Sequence, residues 1–178
     1  VEEHSSVGAL GVFGVPTQAI VTPDGAFVIV ATSGGLLVAR RDAADGSLEL
    51  VEFETASFDV PHTYTPTVTQ SDDGKHVYAG TSAGRVIVFS RNATTGALTH
   101  VETEDDAAST ARHFGFVRDL GISPDGEFVY VACDTEDAIT YFARNSIDGE
   151  LDWLGDADAI AEPVDLVLTP DGARLFVA

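Results

Sequence analysis

Short apolar runs, each bounded by polar punctuation, set the rhythm of the chain. "FVIVAT" follows "TPDGA", "HVYAGT" follows "SDDGK", and "FVYVAC" follows "SPDGE". Valine, isoleucine, tyrosine and phenylalanine dominate these runs, which suits pleated, packed strands. No useful length carries apolar residues at helical spacing. Many runs are apolar at successive positions, as at Val129, Tyr130, Val131 and Ala132. A strand with one wet face would alternate, so both faces of these strands must be covered.

The punctuation repeats. Gly25, Gly74, Gly126 and Gly172 each follow an aspartate. A second landmark keeps phase with them: "DAADGSL" at Asp42, "NATTGAL" at Asn92 and "NSIDGEL" at Asn145, preceded by Arg41, Arg91 and Arg144. The period is about 50 residues, in the range of one propeller blade. Each unit holds four strand-like runs joined by short turns, which predicts a four-stranded antiparallel meander. Apolar faces on both sides of each meander predict that one sheet stacks on the next. The fold class is therefore all-β, a β-propeller of four-stranded blades with about three and a half blades present. The repeats fall at approximately 1–15 (partial), 16–57, 65–106, 117–158 and 163–178 (partial), within a single segment 1–178. In "SPDG" the proline presets φ at the second turn position and the aspartate stabilises the third. The glycine then takes the left-handed conformation. The repeated Asp-Gly pair reads as a turn and not as a site.

Charge narrows the partners. Among 178 residues, 9 basic side chains stand against 29 acidic ones, for a net charge of −20. Such a chain repels nucleic acid and anionic membrane surfaces. No apolar run approaches the roughly 20 residues of a membrane helix. The acids are scattered over every loop, the pattern of a solvated coat suited to a soluble, halophilic or secreted protein. Calcium is the one metal worth weighing. Glu104, Asp105 and Asp106 cluster, as do Asp152, Asp156 and Asp158, but neither stretch has the alternating Asp spacing of a calcium loop. No metal site and no cofactor is expected. Cys133, the lone cysteine, lies in an apolar run and reads as a small buried hydrophobe. Asn92-Ala93-Thr94 matches a glycosylation sequon, relevant only to a secreted chain.

The stretch "SPDGEFVYVACDTEDAITYFARNSIDGELDWL" resembles the repeat of the seven-bladed propeller lactonase family, and "TQSDDGKHVYAGTSAGRVIVFSRNATTGALTHVE" is a second copy. The family includes 6-phosphogluconolactonases and carboxymuconate-cyclising enzymes. Its enzymes carry a Pro-Arg-His signature just ahead of a blade's first strand. Counting back from each turn, the three places hold Pro16-Thr17-Gln18, Thr65-Pro66-Thr67, Val117-Arg118-Asp119 and Pro163-Val164-Asp165. Only Arg118 keeps the arginine, and Asp119 takes the histidine's place. The resemblance therefore implies a non-enzymatic binding or scaffold propeller, exported or at a cell surface (extracellular or periplasmic). The alternative is a lactone hydrolase or lactonising enzyme whose catalytic blades lie outside this segment. Val1-Glu2 is in phase with Val51-Glu52 and Val101-Glu102, and Ala178 with Ala31 and Ala132. The segment thus corresponds to about half of a seven-bladed ring. The remaining blades of the same chain, or a second copy, are expected to close it.

In propellers the loops that lead into the innermost strands line one mouth of the central channel. Here they hold His62, Tyr64, Arg112, His113, Arg118, Asp119, Glu162 and Asp165. His62, His113, Arg118 and Asp119 are the catalytic candidates, the histidines as general acid or base near neutral pH. Tyr64, Arg112, Arg118, Glu162 and Asp165 are the ligand-binding candidates, for a small anionic lactone or carboxylate held by Arg118. The bland alternative is that Arg118 and Asp119 pair with each other. The recurring Arg41, Arg91 and Arg144 read as architecture, through a salt bridge or a carbonyl contact to the neighbouring blade. Trp153, in an outer strand, reads as interblade or edge packing.

Overall fold

A computed structural model describes residues 14–58, 65, 67–105, 115–159 and 161–178. The described residues form fourteen strands and no α-helix. The first sheet holds β1 (Pro16–Val21), β2 (Phe27–Thr32), β3 (Gly35–Arg41) and β4 (Leu48–Glu54). The second holds β5 (Thr67–Gln70), β6 (His76–Thr81), β7 (Arg85–Arg91) and β8 (Leu98–Asp105). The third holds β9 (Val117–Ile122), β10 (Phe128–Cys133), β11 (Ala138–Arg144) and β12 (Leu151–Asp158). A hairpin of β13 (Leu166–Leu168) and β14 (Leu175–Val177) follows. Each four-stranded sheet is an antiparallel meander in sequence order. The first strands of successive blades approach one another, β1 to β5, β5 to β9 and β9 to β13. This is the arrangement of a partial β-propeller, which needs further blades to close a ring.

The predicted turn is present four times. Gly25, Gly74, Gly126 and Gly172 have φ of 70°, 66°, 74° and 68°. Each donates its N–H to the carbonyl three residues back, at Thr22, Ser71, Ser123 and Thr169. The aspartate accepts from the hydroxyl of that same Ser or Thr, as in Ser71 Oγ to Asp73 Oδ1 at 2.7 Å. It also accepts a backbone N–H two residues on, from Ala26, Lys75, Glu127 and Ala173. The Thr22 hydroxyl is the main reason that the Asp24 carboxyl is lowered to about 2.

Period-two alternation then distributes each strand between two interfaces. Val77 and Ala79 of β6 pack with Phe27, Ile29 and Ala31 of the first blade. Tyr78, between them, packs with Val129, Val131 and Phe142 of the third. Every residue of β6 is buried, because a blade lies on each side. Gly80 sets the spacing on the third-blade side: a Cβ there would lie 2.4 Å from Val117 Cγ1. Cys133 is one of these core residues, and burial pushes its thiol up to about 12. Toward the ends of the arc the cover thins: Val21, Val167 and Phe176 are 54%, 60% and 54% exposed.

The recurring arginines are architectural. Arg91 donates from Nε to Gly74 O (2.7 Å) in its own blade and from NH2 to Asp24 Oδ2 (3.0 Å) in the preceding one. Arg144 donates to Gly126 O (2.9 Å) in its own blade. It reaches back to the Tyr78 hydroxyl (2.7 Å) and His76 Nδ1 (2.8 Å). Among the described residues, Arg41 makes the contact within its own blade, to Gly25 O at 3.5 Å. Trp153 packs half-buried against the second interblade cluster.

Candidate functional site at the inner strands

The register of β9 against β10 shifts between Asp119, opposite Ala132, and Val117, opposite Cys133. Arg118 is the extra residue of a β-bulge. The same irregularity falls at Thr17 in β1, between Pro16 and Gln18. A bulge re-aims the side chain it inserts and recurs near functional sites. Arg118 is thereby turned out of the sheet while Val117 and Leu120 stay buried. Its side chain is 40% exposed. Nε and NH2 both donate to Asp134 Oδ2, at 2.6 and 2.5 Å, and the guanidinium lies 4.2 Å from the Phe116 ring centroid. The pairing with Asp119 is not formed. Asp119, beyond the bulge, points into the interface.

Asp119 joins three blades. Oδ1 accepts from the Thr67 hydroxyl (3.1 Å) of the second blade, and Oδ2 from the Leu166 N–H (3.0 Å) of the hairpin that follows. Burial pushes its carboxyl above the usual carboxylate range, and the neighbouring Asp165 carboxyl adds to the rise. The Leu166 N–H and the Thr67 hydroxyl pull the other way. Gln18 holds the same repeat place in the first blade and does a similar job, accepting from the Val68 N–H at 2.6 Å. The place of the signature histidine is therefore used in two blades to fasten the next blade's inner strand.

Glu162 lies in the crossing to the last hairpin with φ of 55°. Its N–H donates to Asp137 Oδ1 at 2.7 Å. Asp137 ends the 3₁₀ turn Asp134–Glu136, so one turn touches both Arg118 and the Glu162 backbone. His62, Tyr64, Arg112 and His113 lie outside the described residues. The structure thus brings Asp119 and Asp165 together, links Arg118 to the same turn as Glu162, and leaves Glu162 and Asp165 exposed. Asp134 and Phe116 escaped sequence reasoning because they meet Arg118 only through strand pairing. One signal existed. Asp134 stands in phase with Ser33 and Ser82, an acid where the other blades carry serine.

Among the described residues, no group of three or more His, Cys, Asp or Glu side chains could hold a metal ion. Asp105 lies 3.8 Å from Arg85, and Asp156 accepts from the Thr140 hydroxyl at 2.7 Å. Asp106 is outside the described residues. The chemistry available is that of an exposed, oriented guanidinium beside carboxyl groups. Such a site can hold an anion or polarise a carbonyl oxygen.

No curated protein sequence matches the chain. Solved structures do. A candidate 6-phosphogluconolactonase from Bacteroides uniformis superposes with a TM-score of 0.75 at 26% identity, over 92% of this chain and 47% of that one. A second, from Bacteroides fragilis, gives 0.70 at 26% identity, over 84% and 40%. The periplasmic gluconolactonase of Pseudomonas aeruginosa gives 0.73 at 23% identity, over 92% and 42%, a likeness of fold alone. The chain spans less than half the length of these structures. The sequence profile of the family described as "Lactonase, 7-bladed beta-propeller" matches residues 16–112 and 67–168. Blades, turns and profile agree: the chain belongs to the seven-bladed β-propeller lactonase family.

Proposed function

We propose that these blades form part of a lactone hydrolase acting on a sugar or carboxylate lactone, with Arg118 contributing to the substrate site at the inner mouth. The observation that carries this reading is the bulge that turns Arg118 out of β9, at the family's arginine place, into a half-exposed position beside an aromatic ring. Membership of the lactonase family supports it. Hydrolysis of a lactone builds negative charge on the carbonyl oxygen. An oriented guanidinium stabilises that oxyanion, or anchors a carboxylate or phosphate elsewhere on the substrate. Asp134 holds the guanidinium in place through two donors on one oxygen.

A second reading is a propeller that binds such a ligand without turning it over. It is favoured by the absence of the signature histidine in all four blades and by the commitment of Gln18 and Asp119 to interblade hydrogen bonds. The test is hydrolysis of 6-phosphogluconolactone above its spontaneous rate by the full-length protein, with calorimetric binding of 6-phosphogluconate in parallel. Arg118→Ala is expected to lower kcat/KM by about a hundredfold, the order of one lost oxyanion donor. Binding without turnover selects the second reading. Neither binding nor turnover overturns both.

A further inference from the structure

The interblade contacts follow a pattern that, among the described residues, leaves one face unmatched. The outer strands of the first and second blades each send a glutamate to the hairpin of the next. Leu98 N–H donates to Glu52 Oε1 at 2.6 Å, and Leu151 N–H to Glu102 Oε1 at 2.5 Å. The covered leucines are 8% and 5% exposed. Leu48 holds the same place in the first blade and is 50% exposed. The hairpin glycines tell the same story. A Cβ on Gly96 would lie 2.5 Å from the Phe27 ring, and one on Gly149 2.5 Å from the His76 ring, each ring supplied by the preceding blade. A Cβ on Gly46 would have nothing within 4 Å among the described residues. Among the described residues, Arg41 has no counterpart of the backward contact that Arg91 and Arg144 make. Beside these groups lies a pocket of about 360 Å³ lined by Arg40, Arg41, Ser47 and Leu48, with Asp42 and Glu49 at its wall.

We propose that this pocket is a carboxylate socket for the outer strand of an adjoining blade, and that its occupant is the segment Val1–Ser5 of this chain, with Glu2 on the Leu48 N–H. Val1-Glu2 matches Val51-Glu52 and Val101-Glu102 in residue type and in repeat phase. Glu52 and Glu102 are the two residues seen making this contact. The docking continues an interface already formed twice in the molecule, and it does not depend on the lactonase reading. A second copy is the weaker occupant, because each chain carries a net charge of −20 and two would repel.

Crosslinking tests it. The double variant Glu2→Cys/Ser47→Cys is treated with a short flexible bis-maleimide, beside Glu52→Cys/Ala97→Cys, which reports the equivalent formed junction. Buried Cys133 is expected to stay unreacted. Both pairs are expected to link within one chain, and Glu2→Ala is expected to speed exchange of the Leu48 amide by about tenfold, a local opening. Linkage of the control pair alone, or linkage of the Glu2→Cys/Ser47→Cys pair only between chains, overturns the proposal. So does a Leu48 amide that exchanges in the unmodified protein as fast as in Glu2→Ala.

Discussion

His76 shows how one residue decides the character of a junction. Its ring is buried between the second and third blades, where Nδ1 faces the Arg144 guanidinium. That contact requires an unprotonated Nδ1. Burial lowers its pKa below 6.5, and the charges of Arg144 and Lys75 lower it further, while Asp73 and Asp148 oppose them. The folded pKa lies below the unfolded one. The stabilising contribution is therefore fully present above about pH 6.5, the unfolded value, and is lost as pH falls toward the folded value. Phe27 occupies the same repeat place in the first blade, where its ring lies under Arg91 at 5.5 Å and no proton is at stake. His76→Phe is expected to flatten the fall in stability between pH 7 and 5, while lowering stability at pH 7 through the lost Arg144 bond. Denaturant midpoints at both pH values check it, and an unchanged pH slope would rule the mechanism out. The histidine was legible in the sequence, in a place that is aromatic in the first and third blades. Its partner was not, because Arg144 lies 68 residues away.

At the scale of the element, each strand was legible where its neighbours bury it. Both faces of "HVYAGT" are apolar because the strand divides its residues between two interfaces. The interblade spacing was not legible. Gly80 sits mid-strand with no turn to mark it, and only the approach of Val117 shows why a side chain is excluded. Gly80→Ala is expected to cost about 1–3 kcal/mol through overpacking, a fall in Tm of roughly 2–4 °C per kcal/mol for a chain of this size. Thermal melts measure it. A neutral effect would mean that the blades can move apart at no cost. The bulge in β9 was equally hidden. Residue order alone makes Arg118 and Asp119 a pair, whereas the register shift turns them to different surroundings.

At the scale of the whole molecule, charge and incompleteness dominate. Among the described residues some acids meet a cation, as Asp24 meets Arg91 and Asp134 meets Arg118. With a net charge of −20, the acidic surface as a whole is self-repelling. Raising salt from about 0.1 M to 1 M shortens the screening length from roughly 10 Å to 3 Å. The melting temperature is expected to rise over that range in sodium chloride as in potassium chloride, since screening is not ion-specific. A flat or falling curve would show that the acidic coat carries no net strain. The exposed Val21, Val167 and Phe176 mark the faces where further blades belong.

By itself the sequence determined the repeat, the turn and the strands, because each depends on residues close in the chain. An Asp-Gly pair closes its own turn with a hydroxyl two residues before the aspartate, and a run of apolar residues reports its own burial. It also carried the family resemblance, since repeated local patterns are what a family profile matches. Only the tertiary structure decided which groups meet across blades. Asp119 against Thr67 and Leu166, Arg118 against Asp134, and Glu52 and Glu102 on the next hairpin all depend on register and on interblade distance. Those quantities follow from packing between segments about 50 residues apart, the length of a propeller repeat, and no local pattern contains them.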